Sequence, residues 1–139
     1  MQTGELIRLQ RKLKGLTQKQ LADMVGVSSP SIRLYELGKR TPSEPILEQI
    51  ADALEISVEA LHEFNIDSSR EMLEVLFRME YEYGVVPLKS DGNHTLAIDP
   101  KAPHAPKLCM ALDAWEGMRA KLDAGEITRE EYEAWKASF

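Results

Sequence analysis

The sequence predicts a mostly helical chain in two parts: five short helices, then a small α+β unit of helix, β-hairpin and two helices. Three observations carry this. Glycine and proline cut the first 64 residues into short runs of helical apolar spacing, most of them opened by Ser or Thr. Val85-Val86-Pro87-Leu88 and Thr95-Leu96-Ala97-Ile98 flank Ser90-Asp91-Gly92-Asn93, the pattern of a tight hairpin. Seven of the nine aromatics, both tryptophans included, lie in residues 68–139, so that part is expected to hold a core of its own. The expected domains are residues 1–66 and 67–139.

In the first helix Leu6, Leu9, Leu13 and Leu16 recur at helical spacing, with Arg8, Arg11, Lys12 and Lys14 between them. That predicts an amphipathic helix with a basic outer face, ending near Gly15. Thr17 is placed to cap a second helix and Gln20 sits at the reciprocal position, with Leu16 and Leu21 as the hydrophobic staple. This helix stops at Gly26. A third opens at Ser28, with Val27 and Ile32 as its staple. Pro30 is tolerated there because first-turn amides have no intrahelical partner. Two short helices joined by Gly26-Val27 form a helix-turn-helix pattern. A fourth helix follows Ser43 with Ile46, Leu47, Ile50 and Leu54 inward, and a fifth is capped by Ser57 and carries Val58, Leu61 and Phe64.

In the second part Ser68-x-x-Glu71 is a capping box, and Met72, Leu76, Met79 and Tyr83 make an apolar stripe that ends at Gly84. Pro87 marks its strand as an edge. Pro106 suits the first turn of the next helix, whose buried face is expected at Leu108, Leu112, Trp115, Met118 and Leu122. Thr128-x-x-Glu131 caps the last helix, on which Tyr132, Trp135 and Phe139 share a face.

Composition bounds the function. The chain has 139 residues, 43% hydrophobic and 29% charged, a globular balance. Apolar runs of only a few residues exclude a transmembrane helix, and the first residues lack the apolar stretch of a secretory signal. Cys109 is the one cysteine and has no intramolecular partner for a disulfide. A cytoplasmic protein without membrane contact is expected. His62, His94 and His104 are scattered, and neither zinc spacing nor a phosphate-binding loop is present. No catalytic residues, no metal site and no cofactor are expected, so the chain is not read as an enzyme. The net charge of -6 argues by itself against a polyanionic partner. The charge is divided, however. Residues 1–43 carry eight Lys/Arg against three acids, a net of +5; residues 44–67 carry -7 and residues 68–139 carry -4. A basic segment of this kind suits an anion.

Residues 4–64 resemble the DNA-binding domain of the Cro/C1-type (XRE-family) helix-turn-helix regulators. The resemblance lies in Gly15-Leu16-Thr17-Gln18, Leu21-Ala22, Gly26-Val27-Ser28, Ile32, Tyr35-Glu36, Gly38-Lys39-Arg40 and Pro42-Ser43. Ile50-Ala51-Asp52-Ala53-Leu54 and Ser57-Val58-Glu59-Ala60-Leu61 complete it. It implies a five-helix lambda-repressor-like DNA-binding domain whose recognition helix spans 28–37 and enters the major groove. Ser29, Pro30 and Leu34 match positions that face base edges in the family, and Ser31 and Arg33 are within reach of bases or phosphates. Gln18 matches a glutamine that contacts the DNA backbone. Lys39 and Arg40 follow the recognition helix as phosphate contacts, and Ser28 caps that helix at its anion-binding end. Lys19 and the basic residues of the first helix add attraction at longer range. Glu36 is expected to be an internal partner. The base-facing set is poor in polar reach, so discrimination is expected to rest on Arg33, Ser29 and DNA shape.

The resulting expectation is a sequence-specific transcriptional regulator, a repressor, of double-stranded DNA. It is expected to act as a homodimer joined through residues 68–139, by the hairpin edge or the aromatic helix faces. Two other readings stand beside it: an antitoxin-like autoregulator whose C-terminal half binds a protein partner, and a protein-interaction module without DNA binding.

Overall fold

The computed structural model describes residues 1–139. Its elements run α1 (Thr3–Leu13), α2 (Gln18–Val25), α3 (Ser29–Glu36), α4 (Glu44–Leu54), a 3-10 turn (Val58–Leu61) and α5 (Ser69–Tyr83). The hairpin β1 (Val85–Ser90) and β2 (Asn93–Ile98) follows, then α6 (Ala105–Asp123) and α7 (Arg129–Ser138). By contacts the chain forms two units, Met1–Phe64 together with Ile127–Phe139, and Asn65–Glu126. The last helix therefore belongs with the first unit, not in a single domain over 67–139. No helix is long and apolar enough to cross a membrane.

The first unit closes around one core of Ile7, Leu21, Ala22, Val25, Ile32, Tyr35, Leu47, Ile50, Ala51, Leu54 and Leu61. The helix starts follow the local chemistry of the sequence. The Gln20 N–H donates to Thr17 Oγ1 at 3.1 Å, and the Thr17 N–H donates back to Gln20 Oε1 at 2.8 Å. Gly26 ends α2 with φ 77°, the left-handed turn that glycine adopts without strain. The Ser31 N–H donates to Ser28 Oγ at 3.2 Å and starts α3.

The buried stripe of α1 differs from the leucine stripe expected. Gly4, Ile7 and Arg11 are its buried residues, while Leu9 and Leu13 stay 40% and 42% exposed. Glycine is required at position 4 because a Cβ there would overlap the Tyr35 carbonyl oxygen. The close approach of α1 to the end of α3 sets the rotation of α1, and Arg11 turns inward with it. The fifth helix is a single 3-10 turn, and Phe64 beyond it is 71% exposed. Its expected cap is diverted: the Ser57 hydroxyl and N–H both donate to the Ala137 carbonyl of α7, at 3.2 and 2.9 Å. α7 brings Tyr132 and Ala137 into buried positions, and the Tyr132, Trp135 and Phe139 rings succeed one another along it, centroids 6.5 and 5.1 Å apart.

In the second unit α5 starts at the Ser68 cap and ends at Gly84, φ 71°. The hairpin pairs Val85 with Ile98 and Ser90 with Asn93, longer at its tip than the sequence pattern suggests. Asp91 and Gly92 turn it with φ 50° and 80°, the positive pair that matches strand twist. The expected core is thin. α5 has no buried residue, and the only buried hydrophobic residue of the unit is Ala105. Met72 is 44% and Trp115 50% exposed, where the sequence pattern puts both inward. Leu108, Leu112, Met118 and Leu122 reach only half-burial.

Candidate nucleic-acid interface

α3 buries Ile32, Tyr35 and Glu36 and leaves Pro30, Arg33 and Leu34 exposed, with Leu37 exposed just beyond its end. Period and burial together give it an inner and an outer edge. Ser29 and Ser31 are half-buried in the first turn, and the Ser31 hydroxyl lies 2.8 Å from that of Ser28. The outer edge therefore runs from a capped N-terminus, whose amides favour anions, to a guanidinium at Arg33.

A buried ion pair fixes this helix. The Arg11 guanidinium donates to both carboxylate oxygens of Glu36, with Nη2 to Oε2 at 3.0 Å, and its Nη1 donates to the Leu16 carbonyl at 2.7 Å. Gln18 Nε2 donates to Glu36 Oε2 at 2.8 Å. One carboxylate thus ties α1, α2 and α3 together, with every bond charge-assisted. Burial pushes the Glu36 carboxyl up. The hydrogen bonds from Arg11 and Gln18 and the charges of Arg11 and Arg8 outweigh it and hold the group below 4.5.

The remaining candidates fall into two places. Gln18 and Arg33 border the same shallow hollow as Arg8, Arg11 and Lys12. Lys39 and Arg40 sit on the turn after Gly38, where both N–H groups donate to the Leu34 carbonyl at 3.0 and 3.2 Å. The Arg40 guanidinium lies 5.7 Å from the centre of the Tyr35 ring, which steadies an exposed cation beside α3. Lys19 stands apart from the hollow and pairs with Asp23 one turn on, at 3.1 Å.

Two things differ from the expectation. Arg11 is not part of a basic outer face but a buried anchor, 8% exposed. Arg8 and Lys12 lie against the hollow beside Gln18 and Arg33, nearer than a long-range role requires. The spacing of Gly4, Ile7 and Arg11 was the sequence signal for this: a polar residue on a second stripe, two positions out of phase with the leucines and so on the opposite face of the helix.

A cap-led short helix is held across a left-handed glycine turn by a buried ion pair, and its free edge carries cations. These features define a helix-turn-helix module. The helix-turn-helix family model matches residues 7–61. Over 58 residues the chain is 43% identical to the HTH-type transcriptional regulator YazB of Bacillus subtilis, covering 42% of this chain and 84% of that protein. The chain belongs to the helix-turn-helix family of Cro/C1 (XRE) type. It is also 44% identical over 61 residues to the cryptic phage CTXphi transcriptional repressor RstR of Vibrio cholerae, covering 44% of this chain and 54% of that protein. A helix-turn-helix-type transcriptional regulator of Mycobacterium tuberculosis is 44% identical over 59 residues, 42% of each chain. The chain thus spans about half the length of these last two relatives.

Among solved structures it is similar to the restriction-modification controller protein C.AhdI from Aeromonas hydrophila, at 32% identity and a TM-score of 0.42, covering 43% of this chain and 91% of that one. The DNA-binding domain of the P22 c2 repressor gives 34% identity and a TM-score of 0.43, with 44% and 80% covered.

Proposed function

We propose that this chain is a sequence-specific DNA-binding transcriptional regulator, a repressor, that inserts the helix over 28–37 into the major groove of double-stranded DNA. It works in the cytoplasm as a homodimer. The observation that carries this reading is the exposed outer edge of α3, with Gln18, Arg8 and Lys12 lining a hollow together with Arg33, and with Lys39 and Arg40 on the turn whose amides bond the Leu34 carbonyl. Phosphate contacts from these cations and the α3 N-terminus position the module, and Arg33, Ser29, Pro30 and Leu34 meet the base edges. Leu34 supplies apolar contact to a thymine methyl. Membership in a family whose related proteins are named transcriptional regulators and repressors supports the same reading.

In vitro selection of bound duplexes followed by a salt titration tests it. A short, roughly palindromic consensus is expected, with affinity falling steeply as salt rises. Arg40→Ala lowers affinity similarly for all sequences and reduces the salt slope by about one. Arg33→Ala changes the preferred bases. No retention on any duplex at about 50 mM salt overturns the proposal and leaves the protein-interaction module. Stoichiometric capture of a toxic neighbouring gene product through the second unit replaces it with the antitoxin-like reading.

A further inference from the structure

The helix-turn-helix match ends at residue 61, and the chain beyond it leaves the first unit and returns. Asn65–Glu126 form the second unit, and Ile127–Phe139 rejoin Met1–Phe64. The second unit is thus an insertion, joined to the first by an outgoing segment and by α7. The two joints are built differently.

The outgoing joint is a bare tether. Residues 63–68 are irregular and all exposed, with Phe64 at 71%. Residues 63–66 make no backbone–backbone hydrogen bond. The Asp67 N–H donates to Glu71 Oε2 at 2.9 Å and anchors only the far end. Without backbone bonds to break, such a segment extends freely.

The returning joint is a docked helix. Ser57 bonds the Ala137 carbonyl twice, and Tyr132 and Ala137 are buried. Two features make this dock separable. No residue of α7 belongs to the core cluster of the first unit, which closes within residues 7–61. The seat is also partial: a cavity of about 320 Å³ lies between α7 and that face, with Leu13, Leu54 and Ile56 on one side and Ala134 and Trp135 on the other. α7 has 10 residues, fewer than the roughly 12–15 that a free helix needs in water. It is helical because it is docked, so leaving the seat and melting are one event.

We infer that α7 is a releasable strap that holds the second unit to the first independently of the tether. Seated, it gives the insertion two attachments. Released, it leaves the second unit on residues 63–68 alone, with a reach of up to about 20 Å. Severing the tether does not free the second unit; unseating α7 does. The inference rests on neither DNA binding nor a dimer, and it is measured without DNA, so its failure leaves the proposed function untouched.

The experiment is limited chymotrypsin digestion of the full chain at high micromolar concentration, followed by gel filtration and mass spectrometry. The first cut is expected after Phe64. Tyr81, although 82% exposed, lies inside α5 and is cut only after local unfolding. The pieces 1–64 and 65–139 are expected to co-elute in native buffer and to separate in urea. Ala137→Asp puts a charge at a position 5% exposed, and its nicked pieces are expected to separate in native buffer. In the intact variant the α7 amides exchange roughly tenfold faster or more, while those of α2 and α3 are unchanged. Tyr132→Ser repeats the test at the other buried position of α7. A first cut elsewhere overturns the tether, and wild-type pieces that separate in native buffer overturn the strap. So do variant pieces that stay together, because other contacts then hold the units. Faster exchange in α2 and α3 also overturns it, because α7 is then part of the core.

Discussion

The two units are built from similar amounts of apolar sequence and use it differently. The first hides eleven residues in one cluster and bolts three helices to a single carboxylate. The second buries Ala105 alone among its hydrophobic residues, and its longest helix, α6, keeps Met110 73% exposed. Apolar area removed from water stabilises a fold at roughly 25 cal/mol per Å², so the first unit specifies its own geometry. The second, as a single chain, leaves much of that contribution unused. A reader of a rigid duplex needs fixed side-chain positions before binding; an association surface needs apolar area left over after folding.

The contrast is broken most strongly at the buried ion pair. Arg11→Met keeps the volume of the side chain and leaves Glu36 buried without its cation. That is expected to lower unfolding stability of the first unit by about 3–5 kcal/mol in urea titration. The same pair sets a pH dependence. The Glu36 carboxyl is held below its ordinary value of 4.5 in the folded chain. Its contribution is therefore fully present above the unfolded value and is lost as pH falls through the lower folded value. Wild-type stability should fall on acidification below about 4.5, with part of that slope missing in Glu36→Gln. An identical acid limb in Glu36→Gln would show that other carboxylates carry it.

A direct comparison follows from one substitution made in each unit. Leu21 is 0% exposed at the centre of the first core. Leu21→Ala is expected to cost about 2–5 kcal/mol, the range for a buried leucine that leaves a cavity. Leu112, half-buried on α6, should cost under about 1 kcal/mol on the same change, because surroundings open to solvent refill the space. Equal losses would mean that the second unit has an interior as closed as the first, and the contrast would fail.

What could be read in the sequence was what depends on neighbours in the chain. Thr17 with Gln20, Ser28, Ser68 and Thr128 all cap as their spacing requires, since a cap is decided within four residues. The turn at Asp91-Gly92 is local for the same reason. The rotation of α1 was not legible. Leu6-Leu9-Leu13-Leu16 and Gly4-Ile7-Arg11 both satisfy a helical period, and the backbone contact of Gly4 with Tyr35 chooses between them. In the candidate site, Gln18, Arg33, Lys39 and Arg40 stand out because they lie in and around two adjoining short helices. Arg8 and Lys12 join them only through the packing of α1. The shortfall of core in the second unit was hidden because aromatic count says nothing of which side of a helix is covered.

The finest test concerns α7, whose place with the first unit depends on a contact spanning 80 residues of sequence. Ser57 reaches the Ala137 carbonyl through both its hydroxyl and its N–H. Ser57→Ala removes the first bond and keeps the second, so the loss should be about 0.5–1.5 kcal/mol. Hydrogen exchange locates it: the amides of Tyr132–Ala137 should exchange several-fold faster while those of α2 and α3 stay unchanged. Because α7 also buries Tyr132, the helix should loosen without leaving. Unchanged exchange across α7 would mean that ring packing alone seats the helix. Faster exchange in α2 and α3 as well would mean that α7 is part of the cooperative core of the first unit and not an addition to it.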